Sequence, residues 1–496
     1  MKTVCIIGGG LGGLMTGALL TKEGYRVTVL EKNGNIGGGL QGFSRKGHLF
    51  DPCMHVFGGL QPGGNLRAIL QHLGILDKIK LEPYHDTLLC GDERLTLPFG
   101  RDAWIDAIGG GKHNEELNAY VDALYRLSDS EDLFNMRPSN GAPHEVENIS
   151  AKELIERHIS DHDLRQRLTF ILHLYDGRPD SPALLHALTS VLHIDGIYSF
   201  VSSAQTMAQA LADIITAGGG CIHTGSPVTA IEADGKQVTA VLCGNERHTA
   251  DQYVGSISIG ALLNIAPKGA FSPAFRNRIK SAEQCCSAFC IYAILKPQTM
   301  KQENASYHIL RRGANPWDMA TTQPDQWPHN MFLMTRSDRG DKRYADTMTI
   351  VVPMTFESVR PWEDSTLGHR PAEYRQWKEQ MTAQAMHMAQ EALGPIETEY
   401  IEAASPLTVR DYNGTTHGTC YGLHTSVDNL AYTTLSTRTR MENLFLAGQD
   451  VNFHGMVGTS LTAVLTAETI VGRNVIVDQI NRERKQTILT IWKLLK

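Results

Sequence analysis

The chain has 496 residues, of which 42% are hydrophobic and 20% are charged, and its formal net charge is −7 at pH 7. This length predicts roughly two or three domains with large cores and excludes a small stapled peptide. The acidic balance argues against nucleic acid as a partner. The nine cysteines contain no CxxC pair, so reduced thiols in a cytoplasmic protein are expected. No window approaches about 18 uninterrupted apolar residues, so a membrane-spanning helix is not expected.

The first 31 residues have the pattern of a nucleotide-binding βαβ unit. Thr3–Ile7 predicts a strand buried on both faces, because its apolar residues do not alternate with polar ones. A GxGxxG turn over residues 8–13 follows at once, and apolar residues at helical spacing continue to about Gly24. Arg26–Leu30 predicts a second strand, which ends at Glu31.

The glycines of this turn suit a dinucleotide site in three different ways. Gly8 permits the tight turn, Gly10 lets the backbone approach a pyrophosphate, and Gly13 lets the helix pack closely on the strand. The start of the helix offers unpaired N–H groups to the phosphates. Glu31, which lies 18 residues after Gly13, is placed to accept hydrogen bonds from ribose hydroxyls. A dinucleotide site is therefore predicted, with an accidental glycine-rich turn as the alternative.

Two further segments favour FAD over NAD as the dinucleotide. A second glycine cluster occupies residues 35–40, where flavoproteins bring backbone close to the cofactor. Near the C-terminus, a strand over 443–448 precedes Asp450, and a glycine pair then precedes a helix over about 459–470. The N-terminus of such a helix would face the flavin edge where negative charge accumulates on reduction.

These segments resemble the phytoene desaturase, carotenoid isomerase and retinol saturase group of FAD-dependent enzymes, within the wider amine oxidase-like flavoproteins. The resemblance rests on four blocks of sequence: GGGLGGL, EKNGNIGGGLQGFSRKGHLFD, GGGCIHTGSPVTAIEADGKQVTAV and NLFLAGQDVNFHGMVGTSLTAV. It implies an α/β fold, with an interrupted Rossmann-like FAD-binding domain and a second α+β substrate domain that combines a mixed sheet with helices.

The resemblance also implies how the chain is divided between the two domains. The FAD-binding domain takes residues 1–85, 196–265 and 435–475, the substrate domain takes 86–195 and 266–434, and a basic amphipathic tail takes 476–496. Within the substrate domain, Ser287–Leu295 and Thr347–Thr355 have the composition of strands. Ala372–Leu393 has the pattern of a long amphipathic helix.

Matching positions carry over the residues that hold FAD in this group. They are Gly8, Gly10, Leu11, Gly13, Glu31 and Lys32 in the first part of the chain, Gly38, Gly39 and Leu40 in the second glycine cluster, Val228 in the central block, and Gly448, Asp450, Val457, Gly458 and Thr459 near the C-terminus. The resemblance implies that Val228 meets the adenine and that Asp450 lies near the ribityl chain and pyrophosphate. Val457 and Gly458 are implied to lie beside the isoalloxazine.

The chain departs from the group's pattern at two places. Many relatives carry an arginine where this chain has Leu40, so a phosphate contact is expected to be missing or to come from Arg45 or Lys46. Many carry Asp-x-Gly where this chain has Asp51, Pro52 and Cys53. The Cys53 side chain puts the close approach of that backbone to the flavin in doubt.

The flavin would carry the hydride chemistry, so few catalytic side chains are required. His55 is the candidate catalytic residue, as a proton donor or acceptor beside the flavin, with His454 as an alternative and a purely structural histidine as the other interpretation. NAD(P) is left open as electron donor or acceptor, although the sequence has no second GxGxxG in the right context to bind it.

We therefore expect a FAD-dependent oxidoreductase that acts on C=C or C–C bonds of a lipophilic isoprenoid-like substrate, as a carotenoid or retinoid desaturase, saturase or isomerase. A flavin amine oxidase and a non-catalytic prenyl- or lipid-binding carrier are the alternatives. The basic tail places Ile488, Ile491, Trp492 and Leu495 on one helical face. Two interpretations of this face are left open: docking onto the protein's own domain or a dimer partner, and peripheral contact with a membrane. The oligomeric state is not predicted.

Overall fold

The fold is known from a computed structural model that describes residues 1–130, 148–318, 326–338, 342–472 and 474–494. The strands are β1 (Thr3–Ile7), β2 (Arg26–Leu30), β3 (Phe43–Arg45), β4 (His48–Phe50), β5 (Leu81–Cys90), β6 (Glu93–Leu97), β7 (Ile197–Phe200), β8 (Cys221–His223), β9 (Ala230–Asp234), β10 (Gln237–Cys243), β11 (Glu246–His248), β12 (Gln252–Gly255), β13 (Ser287–Leu295), β14 (Ala305–Leu310), β15 (Asn330–Arg336), β16 (Thr347–Met354), β17 (Thr398–Ala404) and β18 (Leu444–Leu446).

The helices alternate with these strands along the chain. They are α1 (Leu11–Lys22), α2 (Asn65–His72), α3 (Arg101–Gly109), α4 (Asn114–Ser130), α5 (Ala151–His158), α6 (His162–Leu168), α7 (Ala183–Asp195), α8 (Gln205–Ala217), α9 (Ile259–Ile265), α10 (Pro273–Ser281), α11 (Ala372–Leu393), α12 (Pro406–Asn413), α13 (Leu430–Thr433), α14 (Gly455–Val471) and α15 (Val475–Leu494). Short 3₁₀ turns occupy Gly38–Leu40, Leu76–Lys78, Leu172–Leu174, Phe356–Trp362 and Thr416–Gly418.

A five-stranded parallel sheet forms the nucleotide-binding half, in the order β18-β12-β1-β2-β8. Its strands come from three separated parts of the chain, which confirms an interrupted Rossmann-like arrangement. Val4 and Ile6 of β1 belong to one core, and Cys5 and Ile7 belong to another. The prediction of a strand buried on both faces is confirmed, because each face of β1 packs into its own core. Helix α1 packs against α8 and α14 on one side of this sheet.

An eight-stranded mixed sheet forms the other half. Its order is β17-β13-β16-β15-β14-β5-β6, and β7 pairs with β5 off this path. All nine residues of β13 are buried, because one face packs on apolar residues of α11 and the other on Phe50. The predicted strands over 287–295 and 347–355 and the predicted helix over 372–393 are confirmed as β13, β16 and α11, with β16 ending at Met354.

Helices α3 to α7 cover one part of the mixed sheet with a separate core. That core contains Trp104 of α3, Tyr120 of α4 and Ile155 of α5. Helix α7 runs through its centre, in contact with α4 and α5, and also lines the cavity described below. The mixed sheet also takes β5, which starts at Leu81, and β7. The division into domains at the sequence positions given above stays a prediction.

The C-terminal helix α15 packs against α2 and α14 of its own chain. Ile476, Val477 and Ile480 are buried there, and a carboxylate oxygen of Glu483 lies 3.2 Å from His72 Nδ1. Ile488 lies on the exposed side, whereas the side chains of Ile491, Trp492 and Leu495 lie outside the described residues. Of the helices that the structure describes, none has both the length and the apolar character needed to cross a bilayer.

Candidate active site

One cavity of about 690 Å³ lies where the two sheets meet. The carboxyl ends of parallel strands β1, β2, β12 and β18 supply Gly8, Glu31, Ser256 and Gly448 to its lining. This is the edge at which open α/β sheets bind their ligands. The other walls come from β13, β15 and β16 of the mixed sheet and from α7.

Fifteen of the sequence-predicted residues line this single cavity. They are Gly8, Gly10, Leu11, Glu31, Lys32, Gly38, Gly39, Leu40, His55, Val228, Gly448, Asp450, Val457, Gly458 and Thr459. Segments more than 400 residues apart in the chain are therefore brought together. The contact that each residue makes with FAD stays a prediction. Gly13, which the resemblance also carried over as a FAD-binding residue, does not line the cavity. Its close contact with the Gly8 carbonyl oxygen fits the packing role predicted for it.

The glycine turn is shaped by close backbone contacts. A Cβ atom at Gly13 would lie 2.1 Å from the carbonyl oxygen of Gly8, and one at Gly12 would lie 2.8 Å from Gly448 Cα. Gly8 itself has φ +103°, a conformation that other residues rarely adopt. No side chain caps the N-terminus of α1, where Gly10 is the N-cap. The first turn of α1 therefore opens into the cavity as an anion site of the kind that holds a pyrophosphate.

Glu31 ties this turn to the end of β2. One of its carboxylate oxygens accepts a hydrogen bond from Gly9 N at 2.7 Å, and the other accepts one from Asn33 N at 2.8 Å. A carboxylate oxygen has a second lone pair, so Glu31 keeps acceptor capacity toward the cavity. Glu31 thus organises the loop as well as lying where a ribose contact is predicted.

Asp450 supplies an independent indication of a missing polar ligand. Its Oδ2 accepts a hydrogen bond from Ile259 N at 2.8 Å, whereas its Oδ1 is buried and has no partner among the described residues. Burial raises the pKa of this carboxyl. A buried oxygen without a partner is costly, and the hydroxyls of a ribityl chain are suitable donors for it. The residues present therefore fit FAD.

The start of α14 faces the same cavity. Residues 455–459, its first turn, all line the cavity, and no side chain caps the helix at His454. The positive end of the helix dipole lies there. A flavin that gains negative charge on reduction is stabilised by such an arrangement.

The two departures from the group's pattern have structural consequences. Arg45 is paired with Glu402 at 2.5 Å and Lys46 lies over the Tyr400 ring, and neither lines the cavity. Both cations are turned toward β17, so of the two alternatives the structure favours a missing phosphate contact over its replacement by Arg45 or Lys46. Cys53 does line the cavity.

Asp51, which precedes Cys53, has no direct part in the cavity lining. Its carboxylate pairs with Arg336 at 2.5 Å and accepts a hydrogen bond from Ser203 Oγ at 2.6 Å. Arg336 belongs to β15, and Ser203 lies just before α8. This buried ion pair therefore holds the segment that leads to His55 against both halves of the molecule.

Both candidate histidines lie in the cavity lining as neutral imidazoles. Burial, together with the nearby Arg336 guanidinium, lowers the pKa of His55 to about 3. Burial lowers the pKa of His454 to about 4. Neither ring is a cation at neutral pH, so neither is a strong proton donor. His55 packs 5.5 Å from the Phe332 ring, and the predicted catalytic role for it stays a prediction.

Sequence reasoning missed a buried carboxylate with three donors. Asp86 of β5 accepts hydrogen bonds from His193 Nδ1 at 2.7 Å, His308 Nε2 at 2.8 Å and Ser306 Oγ at 2.7 Å. Burial alone would raise the pKa of Asp86, but its bonds to the two histidines outweigh burial and hold that pKa below its usual range. The carboxylate is therefore ionised inside the protein.

His193 connects this cluster to the cavity. It lies on α7 and lines the cavity. The neighbouring His173, in the 3₁₀ turn Leu172–Leu174, lines the cavity as well. Because Nδ1 of His193 is used by Asp86, Nε2 is the ring nitrogen left for the cavity. The one local sequence signal for this cluster is the pair Ser306 and His308. They lie two residues apart on β14, so their side chains share one face of the strand. The parallel pairing that sets Ser306 opposite Asp86 is long-range and has no local signature.

Beyond these polar groups, the chamber next to the glycine turns is apolar. Its walls include Leu174, Leu185, Leu188, Val191, Leu192, Phe332, Val351 and Phe453. An apolar chamber that opens onto a dinucleotide site can hold a hydrophobic substrate against a redox cofactor and exclude water.

The fold and the cavity together define a FAD-binding oxidoreductase. The chain belongs to the flavin containing amine oxidoreductase family, whose model matches residues 11–471. It is 23% identical to the all-trans-retinol 13,14-reductase of Rattus norvegicus over 527 residues, which covers 95% of this chain and 86% of the relative. It is also 22% identical to a 4,4'-diapophytoene desaturase (4,4'-diaponeurosporene-forming) of Staphylococcus aureus, over 58% of this chain and 62% of that protein.

Solved structures share the fold. The cyclohexylamine oxidase of Brevibacterium oxydans superposes with a TM-score of 0.61 at 16% identity, over 98% of this chain and 99% of the oxidase. The predictions of a FAD cofactor, of an amine oxidase-like flavoprotein and of the two-part α/β fold are thereby confirmed.

Proposed function

We propose that this protein oxidises or reduces carbon–carbon bonds in a lipophilic, isoprenoid-like substrate. The observation that carries the proposal is the continuity of the glycine-lined site with the apolar chamber along α7 in one cavity. Two relatives support it, because one is named a retinol reductase and the other a diapophytoene desaturase.

FAD supplies the exchange of a hydride with a substrate carbon when it is bound. The chain itself must then handle the second hydrogen, which travels as a proton. His193 is the residue suited to this step, because its Nε2 is free for the cavity while Asp86 fixes its Nδ1. Asp86 acts here as a positioning residue that selects the tautomer and stabilises the protonated ring.

The same residues serve both directions of the reaction. In saturation, one carbon of the double bond would receive the hydride that reduced FAD supplies, and His193 would give a proton to the other carbon. In desaturation, His193 would accept the proton that leaves one carbon, while the hydride from the adjacent carbon would go to oxidised FAD. Repeated turnover then needs an external electron donor or acceptor, for which NAD(P) remains a candidate.

Anaerobic incubation of the purified holoprotein with carotenoids, retinol and amines tests this proposal. A substrate for desaturation should bleach the oxidised flavin absorbance, and a substrate for saturation should restore it after prior reduction. Bleaching by amines alone would instead identify an amine oxidase, the candidate that the family and the fold neighbours favour next. A purified protein without flavin absorbance would favour a non-catalytic carrier.

The role of His193 has its own test. His193→Gln should slow flavin reoxidation by the substrate by about 10²- to 10⁴-fold while FAD stays bound. Asp86→Asn should shift the pH at which that rate is half-maximal, which a purely structural role would not do. His186→Gln, on the same helix but outside the cavity lining, is the matched control and should keep the rate. Unchanged rates in His193→Gln would exclude it as the proton donor.

The exposed end of α15 is a candidate for contact with a membrane surface that stores such a substrate. Ile488 and Leu489 are 39% and 61% exposed, and Ile488 lies next to Gly63, between cavity-lining Gln61 and Gly64. In flotation with phosphatidylglycerol-containing vesicles, Leu489→Ser should reduce binding. Leu367→Ser is the control and should not reduce binding, because Leu367 is 45% exposed but lies outside α15. If the unaltered protein does not float with the vesicles, the proposed membrane contact is wrong.

A further inference from the structure

A polar cluster lies in the wall of the otherwise apolar chamber. Gln61, Asn65 at the start of α2, and Asp195 at the end of α7 all line the cavity. Tyr125 of α4 donates a hydrogen bond to Asp195 Oδ1 at 2.6 Å, and Gln61 Nε2 donates one to Oδ2 at 3.1 Å. None of these four residues is among those predicted to bind FAD.

The cluster has more acceptors than its own donors satisfy. Gln61 Oε1 and Asn65 Oδ1 are buried and have no hydrogen-bond partner among the described residues, and Asn65 is only 9% exposed. The Tyr125 hydroxyl and one N–H of the Gln61 amide donate to Asp195 and not to these two oxygens. Buried oxygens without partners are costly, so the group that completes this cluster must bring a hydrogen-bond donor.

The environment narrows the chemistry of that donor. A carboxylate end group offers no proton and would be repelled by these oxygens, and an ether or a hydrocarbon end offers none either. Burial raises the pKa of Asp195, which indicates a site where further negative charge is disfavoured. A neutral hydroxyl brings one donor and adds no charge.

We propose that Gln61, Asn65 and Asp195 bind the hydroxyl end of a lipophilic alcohol whose apolar chain fills the chamber along α7. This inference rests on the proposed function, because it assigns one end of the same isoprenoid-like substrate. It makes the cluster a specificity site that selects alcohols over ethers and hydrocarbons of the same length.

Binding of a matched pair of probes tests the cluster without requiring turnover. The holoprotein is titrated with all-trans-retinol and with its methyl ether, and binding is followed by quenching of protein fluorescence. The two probes differ in the donor hydrogen and one methyl group. We expect the unaltered protein to bind the alcohol about tenfold more tightly, the equivalent of one good hydrogen bond to a buried acceptor.

Variants locate the effect within the cavity. Asn65→Leu should reduce the preference for the alcohol to about twofold or less, because it removes a buried acceptor at nearly constant size. Thr189→Val is the control, because Thr189 lines the cavity but its hydroxyl already donates to Leu185 O at 2.9 Å. The preference should survive in this control.

The outcomes distinguish failure of the hydroxyl-binding cluster from failure of the proposed function. Equal binding of the alcohol and the ether by the unaltered protein overturns the cluster alone, since a lipophilic site would still be present. Binding of neither overturns the proposed function and the cluster with it. Loss of FAD from Asn65→Leu would assign the cluster to the cofactor, and tighter binding of retinylamine than of retinol would assign it to an amine. Both results overturn a hydroxyl site.

Discussion

Two regions meet at the cavity, and they are built on different principles. The nucleotide region uses backbone, because its turn depends on Gly8, Gly13 and the uncapped starts of α1 and α14. The chamber uses side chains, because its chemistry depends on groups such as Asp86 and His193 that come from different elements. The geometry of the nucleotide region is set by positions where no side chain fits. The geometry of the chamber is set by hydrogen bonds between side chains of different elements.

This difference has a consequence for how the two regions respond to substitution. A change in the glycine turn should act on FAD retention and on folding together, because the same contacts pack the helix and shape the site. A change in the chamber should leave FAD in place and alter the substrate chemistry or the local stability. Substitutions in the two regions should therefore be distinguishable by their effects on FAD retention, stability and substrate chemistry.

Gly13→Val should have the largest effect. Its Cβ would lie 2.1 Å from the Gly8 carbonyl oxygen and 3.2 Å from Ile6 Cγ2, so α1 would have to move away from β1. We expect a loss of about 5 kcal/mol in the free energy of unfolding, near the limit for a single substitution, together with loss of FAD. Chemical denaturation followed by tryptophan fluorescence, with flavin absorbance of the purified protein, measures both.

Gly34→Ala is the control for Gly13→Val. A Cβ at Gly34 would have no atom within 4 Å, and its φ is not positive. The control should keep both stability and flavin. Full flavin content in Gly13→Val would show that the close helix–strand contact does not shape the site.

Asp86→Ala, the corresponding change in the chamber, should have the second-largest effect on stability. It removes the acceptor of His193, His308 and Ser306 and leaves buried donors without a partner. Each buried donor left without a partner costs about 1 to 3 kcal/mol, so we expect a loss of about 3 to 5 kcal/mol in the free energy of unfolding. Unlike Gly13→Val, this variant should retain its FAD in the folded fraction. Loss of flavin in proportion to the loss of stability would show that the two regions are coupled.

The contrast also explains which parts could be predicted from sequence. The strands β1 and β2 were predictable to the residue, and Gly8, Glu31 and Asp450 were predictable as neighbours, because local spacing and block resemblance carry them. The Asp86 cluster was not, because it depends on β5 pairing with β14 more than 200 residues later. Cys53 and Leu40 show the limit of resemblance. A departure from the group's pattern shows which contact is absent, but it does not show which residue supplies that contact instead.

Glu31→Gln should have a smaller effect that is confined to the nucleotide region. One carboxylate oxygen becomes an amide group, which cannot accept the hydrogen bond from Gly9 N or from Asn33 N. We expect FAD binding to weaken by about 1 to 3 kcal/mol, measured as flavin retained through dialysis. Glu379→Gln on the exposed surface of α11 is the control. Retention equal to that of the unaltered protein would show that Glu31 does not organise the site.

The smallest effect, counted per unit of pH, concerns a histidine of α7 that is buried outside the cavity lining. His186 on α7 is held between the hydroxyls of Tyr120 at 2.5 Å and Tyr175 at 2.8 Å, and burial lowers its pKa to about 3. The unfolded chain therefore takes up a proton near pH 6.5, its ordinary pKa, before the folded chain does. The folded state should lose stability as pH falls from about 6.5 toward 3, and one such group contributes a slope of about 1.4 kcal/mol per pH unit.

His186→Phe should lower the slope by about this one group's contribution, although its absolute stability is lower because two tyrosine hydroxyls lose their partner. His387→Phe on α11 is the control, since its side chain is 76% exposed, and its slope should match that of the unaltered protein. Urea denaturation at half-unit steps between pH 4.5 and 6.5 gives the slopes, and hydrogen exchange should show α7 opening before β1 as pH falls. A His186→Phe slope equal to that of the control would mean that His186 does not contribute to the loss of stability in acid.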